Sequence, residues 1–206
     1  PGTGPERVAA LNNDGTAADI PVVWEAADLP GIAASAVGTY PIYGEAGGLP
    51  VTCYINLVDE NYVDNYSFEE SDTSMWAVTD IAPGKQTDFQ VKKSDAHTGS
   101  VALHFWNADA VEWKAEQVIG NLKSGVYRFS MQAQGGDMDG SAELYIYAIA
   151  DGVTYTMPFA VNGWANWVQP VIERIPCEGG TITIGVSVRC NGGGWGTVDD
   201  FLLNPA

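Results

Sequence analysis

Apolar residues recur at every second position along much of the chain, while the spacing of an amphipathic helix is nearly absent. In Tyr127-Arg128-Phe129-Ser130-Met131-Gln132-Ala133-Gln134 the odd positions are apolar or small and the even ones polar, which predicts a strand with one packed face and one solvent face. Glu143 to Ala148 alternates likewise, with Leu144 and Ile146 on one face and Glu143, Tyr145 and Tyr147 on the other. From Thr181 to Cys190, Ile182, Ile184, Val186 and Val188 face inward and Thr183, Gly185, Ser187 and Arg189 outward. Short runs rich in Val, Ile, Thr, Tyr and Trp, punctuated by Gly, Pro, Asn and Asp, predict an all-β protein of antiparallel sandwiches. The outward positions carry Gln, Tyr, Arg and small residues in place of the Lys and Glu that usually solvate a sheet. They suggest a shallow groove for a neutral polar ligand.

The pattern divides near residue 60. Before it the runs are Val8 to Leu11, Val22 to Trp24, Thr39 to Tyr43 and Val51 to Val58, with turns at Asn13-Asp14-Gly15 and Ala46-Gly47-Gly48. This predicts a small sandwich over residues 1–60 with Trp24, Tyr40, Ile42, Cys53 and Ile55 in its core. Residues 61–206 are predicted to form a larger antiparallel sandwich of jelly-roll type.

Composition narrows the partners. The 206 residues hold 9 Lys plus Arg against 26 Asp plus Glu, a net charge of −17, and 46% of the chain is hydrophobic. Such a chain folds in water. Its charge repels phosphate backbones and anionic head groups, which excludes nucleic acid and membrane surfaces as partners. Beginning at Pro1, it reads as a piece of something larger.

Cys53, Cys177 and Cys190 form no C-x-x-C pair, so neither a zinc site nor a redox motif is suggested. A turn at Gly179-Gly180 would set Cys177 opposite residue 182. At about 3.3 Å per strand residue Cys190 then lies beyond the roughly 7 Å limit for a bridge. Three free thiols are expected.

The chemistry on offer suits sugar recognition, in which aromatic rings cover the apolar face of a pyranose and polar side chains bond its hydroxyls. Trp24, Trp76 and Trp113 read as core, whereas Trp195, among the glycines of Asn191-Gly192-Gly193-Gly194-Trp195-Gly196, has nothing to pack against within its loop and reads as a binding residue. Trp106, Trp164 and Trp167 fit either role. Catalytic motifs are missing: there are two histidines, His97 and His104, and no G-x-S-x-G, H-E-x-x-H or nucleotide-binding fingerprint. Asp199-Asp200 reads as an ordinary turn or as a pair of hard oxygen ligands of the kind calcium takes.

Asn65-Tyr66-Ser67-Phe68-Glu69, Trp76, Thr98-Gly99-Ser100-Val101-Ala102-Leu103 and Val198-Asp199-Asp200-Phe201 resemble a frame shared by many β-sandwich carbohydrate-binding modules. His104-Phe105-Trp106-Asn107-Ala108-Asp109-Ala110-Val111, Gln134-Gly135-Gly136-Asp137, Tyr145-Ile146-Tyr147-Ala148, Asn162-Gly163-Trp164 and Trp195-Gly196-Thr197-Val198-Asp199-Asp200-Phe201 go further. Over residues 62–206 they resemble family 61 carbohydrate-binding modules. That resemblance implies binding of β-1,4-galactan, attachment to a family 53 endo-β-1,4-galactanase absent from this chain, and a secreted or cell-surface location.

Asn13-Asp14-Gly15-Thr16, Pro21-Val22-Val23-Trp24 and Gly38-Thr39-Tyr40 resemble a bacterial Ig-like domain of group 4, which implies a spacer. The resemblance to related sandwiches further implies a structural calcium held by Ser67 or Glu69, the carbonyl of Gly99 and Asp199; otherwise the sandwich is metal-free and Glu69 caps a turn. For the ligand it points to Trp106 and Trp195 as stacking platforms and Asn107, Gln134, Asp137, Tyr147 and Arg189 as hydroxyl readers, Arg189 being alternatively tied in an intramolecular ion pair. A monomeric, non-catalytic galactan-binding module is the leading expectation. A cell-surface adhesion module and a small sandwich-fold hydrolase or lyase are the competing ones.

Overall fold

The computed structural model describes residues 6–11, 14–25, 38–57 and 60–206. The chain divides into two compact units, Pro1–Asp59 and Glu60–Ala206. Among the described residues every strand pairing is antiparallel.

In the first unit β1 (Arg7–Leu11), β2 (Ala17–Trp24), β3 (Gly38–Ala46) and β4 (Leu49–Leu57) form one sheet in the order β1-β2-β3-β4. The β3–β4 hairpin pairs Ala46 with Leu49 and turns on Gly47 and Gly48, whose φ angles of 58° and 82° belong to the left-handed region that a tight two-residue hairpin requires. Of the expected core, Ile42 is buried and Trp24, Tyr40 and Cys53 are half-buried, while the side chain of Ile55 lies outside the described ones. Among the described residues this unit is a single sheet, with no second layer.

The second unit is a two-sheet sandwich. Its strands are β5 (Ala77–Asp80), β6 (Thr87–Val91), β7 (Val101–Trp106), β8 (Val111–Leu122), β9 (Gly125–Gly136), β10 (Glu143–Ala150), β11 (Val153–Phe159), β12 (Gly163–Val168), β13 (Val171–Cys177), β14 (Gly180–Cys190) and β15 (Trp195–Pro205). One sheet runs β11-β10-β14-β8-β5 and the other β12-β9-β15-β7-β6, with β13 also paired to β9.

The period-two residues named from sequence meet between the sheets. Ile182, Ile184, Val186 and Val188 from β14 and Leu144 and Ile146 from β10 are buried, as are Tyr127, Phe129, Met131 and Ala133 from β9. Trp113 and Trp76 are core residues; the Trp76 ring lies 4.6 Å from Phe201, centroid to centroid. The strandless lead-in at residues 61–76 is tied down by side chains. Gln117 donates to the carbonyl of Asp64 and accepts from its amide, both at 2.9 Å, and the Trp76 indole donates to the carbonyl of Asn65.

Two sequence expectations need correcting. The even positions of β9 do not all meet solvent, because Ser130 and Gln134 are buried; the turn that carries Asp95 packs over Gln134. The thiols of Cys53, Cys177 and Cys190 are free as expected, but not because of a hairpin register: β13 pairs with β9 in one sheet and β14 with β8 and β10 in the other.

Candidate functional site

Trp106, at the end of β7, pairs directly with Trp195, at the start of β15, and Trp195 pairs on its other side with Gly136 of β9. Their neighbours Phe105 and Gly196 are buried inward, so alternation turns both indoles to the outer face of the six-stranded sheet. Trp106 is 51% exposed and Trp195 half-buried. Glycine at 136 lets the Trp195 ring rest on the backbone of β9: a Cβ there would sit 3.2 Å from Trp195 Cζ2. The Trp195 Nε1–H donates to Asp137 Oδ2 at 2.9 Å, which fixes the tilt of the ring. Trp195 therefore does have a packing partner, supplied by a strand distant in sequence rather than by its own loop.

Two residues further along the same face, Asp88, His104, Thr197 and Gln134 form the next cross-strand row. His104 Nδ1 lies 2.9 Å from Asp88 Oδ1. Residue Asp95 sits on this row: its carbonyl accepts from Gln134 Nε2 at 3.2 Å and Thr197 Oγ1 at 3.0 Å. Its carboxylate accepts from Lys92 Nζ at 2.7 Å and from the Trp164 indole at 3.2 Å. Burial alone would raise the Asp95 carboxyl, but hydrogen bonds from Lys92, Ser94 and Trp164 outweigh it and hold the group below its ordinary value. Trp164 is 57% exposed. One face thus presents three indoles, two of them clamped by carboxylates. Trp164 and Asp95 were not assigned from sequence, and the only signal was the Asn162-Gly163-Trp164 motif.

The seven residues expected to bind sugar do not share one groove. Trp106, Trp195, Gln134 and Asp137 lie on or at the end of the six-stranded sheet, whereas Tyr147 and Arg189 belong to the five-stranded sheet. Period two reveals which way a side chain points but not which sheet holds the strand. Gln134 is 1% exposed, and its amide is occupied by Asp95 and by the amide of Ala165, so it positions the covering turn. Asn107 closes a turn, its Oδ1 accepting from Asp109 N and its carbonyl from Gly193 N. Arg189 pairs with Glu143 at 2.7 Å, as its alternative reading had it.

Three of the four residues expected to hold calcium gather round one turn. Glu69 Oε1 accepts from the amides of Ser100 and Val101 and packs against Gly99, while Oε2 takes the Ser100 hydroxyl. Asp199 Oδ2 accepts from the amides of His97 and Thr98, and Oδ1 from that of Asp200. Burial, and then the charge of Asp200, push the Asp199 carboxyl up to about 7. Ser67 is buried. N–H groups directed into both carboxylates hold this turn by themselves, and the two side chains with the Gly99 carbonyl would supply only part of the six to eight oxygens that a calcium ion takes. Among the described residues no group of three or more His, Cys, Asp or Glu is placed to hold a metal.

Comparison with solved structures defines the class: the second unit has the β-sandwich fold of carbohydrate-binding modules. TmCBM61, a family 61 module solved with β-1,4-galactotriose, superposes with a TM-score of 0.65 and 29% identity, over 71% of this chain and 99% of its own. The enzymatically active domain of tailspike protein 4 from bacteriophage CBA120 shares the fold at a TM-score of 0.55 and 11% identity, over 71% of this chain and 21% of that one. A family 16 carbohydrate-binding module aligns at 0.49 and 12% identity, over 69% and 99%. No protein-family model and no curated protein matches the chain.

Proposed function

We propose that the second unit binds β-1,4-galactan through the outer face of the six-stranded sheet and does not cut it. The observation that carries this reading is the Trp106–Trp195 pair, set outward side by side in a fold shared with a galactotriose-bound module. A galactopyranose has an axial O4, which leaves the C–H groups of C3, C4 and C5 as an apolar patch on one face of the ring. Such a patch packs on an indole, and the hydroxyls at its rim bond to polar side chains. Asp95 and Asp137 hold indole N–H groups, which favours a rigid platform over general acid or base work.

In this reading the module works outside the cell, where it keeps an attached endo-β-1,4-galactanase near an insoluble polymer and raises its effective concentration there. The first unit serves as a spacer. Affinity electrophoresis in gels containing pectic galactan tests the substrate: retardation in galactan but not in xylan or cellulose derivatives is expected, and free migration in galactan would refute it. Galactan incubated with the protein should gain no reducing ends.

A further inference from the structure

The outer face of the five-stranded sheet, the sheet opposite the one that carries Trp106 and Trp195, has its own groove. It has a volume of about 390 Å³ and is lined by Lys114, Glu116, Tyr145, Tyr147, Thr156 and Ser187, among others. That falls in the range of small-ligand clefts, about 300–1,000 Å³. Thr156, Tyr147, Gly185 and Glu116 form one cross-strand row, and Tyr145, Ser187 and Lys114 the next.

The floor is built by a glycine. A Cβ at 185 would collide with Tyr147 Cζ, so only glycine lets that phenol lie down across β14. Its hydroxyl bonds to Glu116, whose carboxylate also takes Lys114 Nζ at 2.6 Å. Burial first, and then Glu116, keep the Tyr147 phenol far above its ordinary value, so it stays a neutral donor. Tyr147 is therefore a buried polar group with its partner in place, while Tyr145, half-buried and with its ring centroid 6.0 Å from that of Tyr147, lines the groove.

We propose that this groove is a second glycan-binding site, so that the module holds two polysaccharide chains at once. The occupant is a neutral pyranose chain. Lys114 and Glu116 neutralise each other, and a chain of net charge −17 repels an acidic polymer. Tyr145 supplies the stacking surface, and the hydroxyls of Ser187, Thr154 and Thr156 with the free N–H bonds of Lys114 supply partners for sugar hydroxyls. The inner faces of the two sheets pack on a common core, so their outer faces point away from each other and one short oligosaccharide cannot span both. The inference rests on the reading of this unit as a glycan-binding module.

The test is calorimetric titration of the whole chain with β-1,4-galactotriose, in wild type, Trp106→Ala/Trp195→Ala, Tyr145→Ala and Ser187→Arg, the last filling the groove should Tyr145→Ala fold poorly. Two trisaccharides per chain are expected in wild type, and one in the tryptophan variant. Tyr145→Ala should weaken the remaining site about tenfold, and Ser187→Arg should abolish it. One trisaccharide per chain, with titrations unchanged in both groove variants, overturns the second site and leaves the galactan reading intact. Binding lost in the groove variants but kept in the tryptophan variant would instead support the groove and refute the tryptophan platform. If galactotriose does not bind, the galactan reading fails, and xylo-, cello- and manno-oligosaccharides then decide for the groove: one of them lost on Ser187→Arg supports it, and none bound overturns it.

Discussion

The indole of Trp195 is fixed from two sides by neighbours in β9 and just beyond it, with Gly136 beneath the ring and the Asp137 carboxylate accepting its N–H at 2.9 Å. A ring held in advance loses little freedom when a sugar packs on it, which is how such a platform gains affinity.

Releasing the clamp should therefore cost binding more than folding. Asp137→Ala leaves the ring free to rotate, and the expected result is about a three- to tenfold loss of galactan affinity with an almost unchanged melting temperature, since water replaces an exposed bond at little cost to the fold. Affinity and thermal unfolding measured on the same preparation check this.

The second clamp carries a pH signature. The folded Asp95 carboxyl lies below its unfolded value, so its bonds to Lys92 and Trp164 stabilise the fold above the ordinary carboxylate range near pH 4 and fade as the pH falls through the lower folded value. Asp95→Asn should be less stable than wild type at pH 7, and the gap should close on acidification. Denaturant unfolding at a series of pH values reads this directly, and a gap that widens in acid would contradict it.

The turn at 97–101 is held by carboxylates on backbone amides. The melting temperature should be the same in excess EDTA as in calcium buffer, while Glu69→Ala should lower it by a few degrees through loss of about 1 kcal/mol. A fall of ten degrees in EDTA would show that an ion replaces those amide contacts.

Strand faces were legible from the sequence and strand neighbours were not. The alternation of Ile182, Ile184, Val186 and Val188 located the core face of β14, and the apolar settings of Trp76 and Trp113 marked them as interior. Nothing in that period showed that β9 and β15 share one sheet while β10 and β14 share the other, because these pairings join segments far apart in sequence. This is why Tyr147 and Arg189 were grouped with Trp106 and Trp195. The clamp on Trp164 was illegible for the same reason: Asp95 reaches it across 69 residues of chain, from a turn whose composition resembles any solvated loop.

The galactan platform is tested most directly by NMR of the indole N–H groups during titration with β-1,4-galactotriose. The Trp106 and Trp195 resonances should shift and saturate together, while those of buried Trp76 and Trp113 stay in place. Saturable binding that leaves Trp106 and Trp195 unmoved would contradict the account.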